Sequence, residues 1–208
     1  MELTVESWVG SVFDHQAVKP EWPPSAPVLQ IMADIFEHSE APLRRFSDEQ
    51  LNQSFWSLCQ GGGPMQALED ERISWELRLR AIRSFVPLFR DLFATRCDRH
   101  LSHLDRTVQA ELCPLNSTCY MWWDFDCWVA KPSDAAHRRV DAAFLDAMRE
   151  ILKIGHEACQ ESALHGLGHW HHAYPAETAR IIEEFLAAGE LREELLRYAQ
   201  NAQRGCVL

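Results

Sequence analysis

Two histidines four residues apart, His165 and His169, follow Glu161 by one helical turn and precede His172. On a helix this spacing puts both imidazoles on one face, where they can share a metal ion as zinc-binding helices do. A zinc-protease helix would carry a glutamate directly after the first histidine. Gly166 occupies that place, so the general base of that mechanism is missing. A third ligand has to come from Cys159, His156, His171, His172 or a distant residue such as Asp124. Histidines bounding a groove also hydrogen-bond a partner without any metal, and with Ala163, Leu164 and Leu167 turned inward the pair projects from the neighbouring face. Groove lining is the stronger expectation, with no metal and no cofactor assigned. Gly166 and Gly168 each cost about 1 kcal/mol against alanine inside a helix, which points to close approach of an adjacent helix or loop.

A second constellation is Trp122, Trp123, Asp124, Asp126 and Trp128. Adjacent tryptophans cannot face the same way, so one is expected in the core and the other at the surface. An exposed indole beside carboxylates suits a ligand rich in arginine or lysine. Burial of all three tryptophans as a plug is the competing and stronger reading. No cysteine or serine sits in a local nucleophile signature, so no catalytic residue is assigned. The triple glycine Gly61 to Gly63 lacks both a preceding strand and a following Gly-Lys-Ser/Thr, and reads as a helix stop rather than a phosphate loop.

The elements that must position these residues are helical. Residues 3–17 put Val5, Trp8, Val9, Val12 and Phe13 on one side, ahead of a Pro-rich loop over 19–27 in which Trp22 pins the chain to the body. A helix over 27–39 follows. Another begins at Ser47, where Ser47-Asp48-Glu49-Gln50 has capping-box spacing. Apolar residues on two faces between Asp70 and Arg96 indicate a buried helical segment, which Pro87 should split near Phe85. Its arginines read as a solvated or salt-bridged face, with Glu76 and Arg80 placed for an i,i+4 pair. Residues 111–137 form an irregular Trp-rich segment. Four helices complete the chain, over about 138–153, 157–171, 176–188 and 192–204.

In that last third, Val140, Phe144, Met148 and Ile151 form one apolar stripe, continued by Ala163, Leu164 and Leu167. Ile182, Phe185 and Leu186, then Leu195, Leu196 and Ala199, repeat the arrangement after about 32 to 34 residues, the period of stacked helix pairs. The fold class expected is all-α in a single domain: an N-terminal helix (1–18), the Pro-rich loop, helical pairs over 28–110, the irregular segment, and two C-terminal helix pairs over 138–205.

The 208 residues suffice for one sizeable core, and 47% hydrophobic with 25% charged residues is ordinary for a globular chain. A net charge of −11 repels phosphate backbones, so nucleic acid is disfavoured and a basic protein or peptide fits better. The charge is uneven, because eight arginines fall between residues 72 and 106. The N-terminus lacks a secretory pattern, and no apolar run approaches the roughly 18 residues a membrane span needs, so neither export nor a membrane is expected. Seven cysteines without a C-x-x-C pair read as reduced, mostly buried thiols in a cytoplasmic protein.

The segment Cys159 to Trp170, followed by Ile181-Ile182-Glu183-Glu184-Phe185-Leu186, resembles the second helix of a HEAT-type repeat and the first helix of the next. Together with Cys119-Tyr120-Met121-Trp122-Trp123-Asp124, it is similar to an uncharacterised group of bacterial proteins. The resemblance implies an α-α superhelix with a concave binding face and supplies no catalytic residues. The leading expectation is a non-enzymatic helical-repeat protein that engages a basic partner through Glu161, His165, His169, His172, Trp122, Trp123 and Asp124. The alternatives are a metal-dependent hydrolase built on His165 and His169, and a structural subunit whose exposed apolar patch near Leu195 to Val207 packs into an assembly.

Overall fold

Helix starts and stops follow the local chemistry of the chain. In the computed structural model, which describes residues 2–14, 22–59, 64–102, 113–124 and 129–207, every regular element is helical and no strand occurs among the described residues. The helices are α1 (Val5–Phe13), α2 (Ala26–Glu37), α3 (Glu40–Leu43), α4 (Asp48–Cys59), α5 (Trp75–Arg83), α6 (Phe85–Leu88), α7 (Ala94–Arg96), α8 (Leu115–Met121), α9 (Arg138–Leu152), α10 (Glu157–Trp170), α11 (Pro175–Ala187) and α12 (Glu193–Ala202). The capping box before α4 forms as its spacing predicts: the Ser47 N–H donates to Gln50 Oε1 at 3.0 Å, and the Gln50 N–H to Ser47 Oγ at 3.3 Å. Ser84 separates α5 from α6, three residues before Pro87, and the chain then runs through a π-helical turn at Phe89–Phe93 into α7. Trp22 ties its loop to α1 through an indole N–H donated to Ser11 Oγ at 2.7 Å. Residues 15–21 and the glycines Gly61 to Gly63 lie outside the described residues.

Two expectations change. The segment expected to be irregular contains α8, despite the weak helix formers Asn116, Ser117 and Thr118, because Leu115, Thr118, Cys119 and Trp122 share one buried face and packing overrides propensity. Arg80 does not turn to Glu76. It reaches across to α2, where it meets Asp34 and Glu37 at 2.5 Å each. Of the two readings of the tryptophans, the stronger one holds for Trp122 and Trp123, which are both buried at 0% and 2% exposure, so neither ring lies at the surface as a binding role would require.

Their burial explains the core. The Trp122 ring is surrounded by Phe36, Phe55, Phe85, Phe89 and Phe93 at 5.5 to 6.3 Å between centroids, mostly edge-on. Such pairs add about 0.5–1.5 kcal/mol each beyond the area they bury. Trp123 shares Phe85 and Phe89 with Trp122, at 6.1 and 6.3 Å between centroids, and also meets Phe144 of α9 at 6.4 Å and Gly166 of α10 instead of solvent. Helices enclose this stretch of chain on both sides.

Helix α10 packs on α8, α9, α11 and α12, while α9 also lies on α5 and α6, and α4 packs on α8. The N-terminal and C-terminal parts therefore share one core, whereas in a strict solenoid each repeat touches only its neighbours. The four C-terminal helices match their expected limits to within one or two residues. Among the described residues no helix is long and apolar enough to cross a membrane.

Candidate metal centre

The central helix α10 is enclosed along most of its length, with every residue from Glu161 to Gly168 buried. Enclosure this tight requires small residues where neighbours come closest. A Cβ on Gly166 would stand 2.6 Å from Trp123 Cγ and 2.7 Å from its Cβ, and one on Gly168 would stand 2.5 Å from Val207 Cγ1. Both glycines of α10 thus serve close approach, as their helical cost suggests. Two thiols knit the surroundings together: Cys119 Sγ donates to Ala158 O at 3.6 Å and Cys159 Sγ to Phe89 O at 3.7 Å. The Ser162 hydroxyl adds a bond from α10 to the Cys119 carbonyl on α8. Cys97, Cys113 and Cys206 are also free thiols, and Cys127 lies outside the described residues.

With α8 held against α10, Asp124 emerges three residues past the end of α8 beside the histidine pair, its N–H bonded to Met121 O at 3.0 Å. His165 Nε2 and His169 Nε2 are 3.1 Å apart, His169 Nε2 is 3.4 Å from Asp124 Oδ1, and ligand atoms of the three residues all lie within 4.8 Å of one another. In a tetrahedral zinc shell with metal–nitrogen bonds of about 2.0–2.1 Å, neighbouring ligand atoms stand about 3.3–3.4 Å apart. Two of the observed separations fall near that value. The side chains of His169 and Asp124 are 38% and 39% exposed while His165 is buried, so the trio is anchored inside and open outward.

Behind the trio is a polar seam. His165 Nδ1 lies 2.9 Å from Tyr198 Oη on α12, Tyr198 Oη lies 3.3 Å from Tyr120 Oη on α8, and the Tyr120 ring packs tilted by 39° against the His165 imidazole at 4.4 Å between centroids. A histidine that ligates through Nε2 keeps its proton on Nδ1, and a hydrogen-bond acceptor there fixes ring orientation and raises basicity. Tyr198 Oη is placed to be that acceptor and to pass its own proton toward Tyr120. Burial pushes the Tyr198 phenol well above the ordinary tyrosine range, aided by Tyr120, so it stays neutral.

The other expected site residues fall elsewhere. Glu161 is fully buried and accepts the Ser102 N–H at 2.7 Å, which ties the chain around residue 102 to α10 rather than facing a partner. Trp122 and Trp123 belong to the core and offer no ring face to a ligand. His172 is exposed, with Nδ1 donating to His169 O at 2.7 Å, and His171 Nδ1 is 3.2 Å from Thr178 Oγ1. His156 is buried at the N-cap of α10. Of the third-ligand candidates read from the sequence, only Asp124 joins the pair. Asp126 and Trp128 lie outside the described residues. Tyr198 and Tyr120 were missed. The available signal was a tyrosine on the apolar stripe of α12, Leu195, Tyr198, Ala199 and Ala202, because a buried phenol needs a hydrogen-bond partner.

The patch expected around Leu195 to Val207 is largely buried, with Leu195, Tyr198, Ala199 and Ala202 in the core; the large hydrophobic side chains exposed among the described residues are Val5 and Val129. That observation does not favour a subunit of a larger assembly. Comparison with known proteins yields no match to a family model, to a curated protein or to a solved structure.

Proposed function

We propose that this protein binds one transition-metal ion of the zinc class through Asp124 Oδ1, His165 Nε2 and His169 Nε2, in a centre of the hydrolytic type. The observation that carries the reading is the convergence of these three atoms at ligand-to-ligand spacing, with a second-sphere hydroxyl already on His165. Asp124, His165 and His169 would hold the ion, and three protein ligands would leave it open to water or substrate; the half-exposed side chains of His169 and Asp124 lie at the protein surface. A bound zinc ion supplies a water of lowered pKa and polarises a carbonyl or phosphoryl oxygen. The chain's own residues contribute geometry: α10 fixes the two imidazoles, Trp123 carries Asp124 to them, and Tyr198 holds the His165 tautomer.

A HEAT-like geometry is retained for the C-terminal helix pairs alone, supported by the packing of α9 on α10, α10 on α11 and α11 on α12. A cytoplasmic location is supported by the free thiols.

The test is elemental analysis of protein purified without a histidine tag, beside a His165→Ala, His169→Ala variant. Near-stoichiometric zinc, iron or manganese that disappears in the variant is the expected result. No retained metal, and no binding when zinc is titrated into the metal-free protein, would sink the reading. The exposed remainder, Asp124, His169 and His172, would then be a contact surface for a basic protein or peptide, to be pursued by partner capture.

A further inference from the structure

We infer that the contact between the Trp123 side chain and Gly166 is the positioning device of the centre: it sets where Asp124 stands relative to His165 and His169. For its metal-binding readout the inference rests on the metal-centre reading, but the geometry it claims is testable without metal.

A Cβ at position 166 would stand 2.6 Å from Trp123 Cγ, 2.7 Å from Trp123 Cβ and 3.1 Å from Met148 Sδ. Cβ is fixed by the backbone and does not move with χ1, so no rotamer change removes the 2.7 Å contact. The backbone of residue 123 has to move. Retreat is blocked on the far side, where the Trp123 ring lies against Phe85, Phe89 and Phe144 at 6.1 to 6.4 Å between centroids. Close-packed interiors transmit such a displacement rather than absorbing it. The next residue along the chain is Asp124, whose Oδ1 is 3.4 Å from His169 Nε2. Gly166 itself directly follows His165, so the seat of the indole and the ligands share one turn of α10. Bringing these atoms back to ordinary contact at 3.4 Å takes a relative shift of about 0.7–0.8 Å between the Trp123 backbone and α10, which displaces the carboxylate relative to the two imidazoles. Neither Gly166 nor Trp123 touches the ligand atoms; both act through Asp124.

Gly168 provides the control. A Cβ there meets Val207 Cγ1 and Cγ2 at 2.5 and 2.6 Å, the outer atoms of a side chain near the C-terminal end, on a contact that does not lead to Asp124.

The experiment compares zinc affinity in wild-type protein, Gly166→Ala, Asp124→Ala, the double variant and Gly168→Ala, with folding checked by thermal melts. Gly166→Ala is expected to weaken zinc binding 10- to 100-fold, the range seen when an outer-sphere support is lost. The double variant should lose little beyond Asp124→Ala alone, because both changes remove the same ligand, and Gly168→Ala should bind like wild type. In the metal-free protein, the His169 ring signals in NMR should move in Gly166→Ala as they do in Asp124→Ala. If Gly166→Ala fails to fold, Trp123→Phe, which keeps an aromatic core side chain, should show a smaller loss of affinity with the same His169 signature. A folded Gly166→Ala, or in its place Trp123→Phe, with wild-type affinity and unmoved His169 signals overturns the inference while leaving the metal centre intact. Absence of zinc binding in the wild type overturns the metal centre, and the NMR comparison then decides the positioning claim alone.

Discussion

The two sides of the chain segment from Tyr120 to Asp124 solve opposite problems. Toward the N-terminal helices, Trp122 enters a cluster of five phenylalanines in which volume and shape dominate, its indole Nε1 buried without a hydrogen-bond partner. Toward α10 and α12, Tyr120 and Asp124 enter a seam with His165, His169 and Tyr198, where each buried polar atom needs a partner and its orientation matters. The aromatic side tolerates shape-conserving exchange and fails through cavities. The polar side tolerates little chemical change and has small direct weight in stability. Five consecutive residues thus divide between holding the fold and presenting a function, and Trp123, between the two, couples them.

Substitutions that act on one side alone test this division. The largest expected effect is Trp122→Ala, which should cost about 3–5 kcal/mol by leaving a cavity among the phenylalanines, read as a lower urea midpoint; zinc binding should survive at any temperature where the variant stays folded. Next comes Asp124→Ala, expected to lower zinc affinity by more than about 100-fold, or about 2.7 kcal/mol, with stability within about 0.5 kcal/mol of wild type, because the side chain is half-exposed and is one of the three proposed ligands. Tyr198→Phe straddles the division. It keeps the ring and removes the hydroxyl on His165 Nδ1, so affinity should fall about 10- to 100-fold while stability drops about 1 kcal/mol. Zinc titration by calorimetry beside urea denaturation separates the two quantities. Equal losses of stability and affinity across all three variants would show that the segment is one undivided unit.

The same division decides what could be read from the sequence. Helices α9, α11 and α12, which carry a strong 3.6-residue apolar stripe, were legible to within a residue or two, as were α10, which is enclosed on nearly all sides, and the capping box at Ser47. Helix α8 was not, since its residues are poor helix formers and its stability comes from contacts with α4 and α10. The i,i+4 histidines were legible as a pair. Burial of the tryptophans was legible as the stronger of two readings, whereas the joining of Asp124 to the pair depends on how α8 seats against α10, and the turn of Glu161 to Ser102 on a contact distant in sequence. The chain states that seating only indirectly, through glycines at 166 and 168 that a free helix would not favour.

Alkaline pH separates the two sides without mutation. The phenylalanine cluster does not titrate, whereas Tyr198 is held neutral by burial and by its bond with Tyr120, and Tyr174, half-buried, is held neutral by burial and by donating to Asp141 Oδ2 at 2.6 Å. Both phenols are raised above their unfolded value of about 10. Above about pH 10 the unfolded chain therefore releases protons that the folded chain retains, and folding stability falls as pH rises. Below that value the contribution is fully present. The slope due to Tyr198 is about 1.4 kcal/mol per pH unit while the folded phenol stays protonated, and Tyr174 adds the same sign with more solvent screening. Urea midpoints of the metal-free protein between pH 8 and 11 should decline less steeply in Tyr198→Phe than in wild type, with Tyr174→Phe between them. Parallel slopes in wild type and Tyr198→Phe would mean that the Tyr198 hydroxyl meets water in solution, and the polar seam would lose the enclosure that distinguishes it from an ordinary surface.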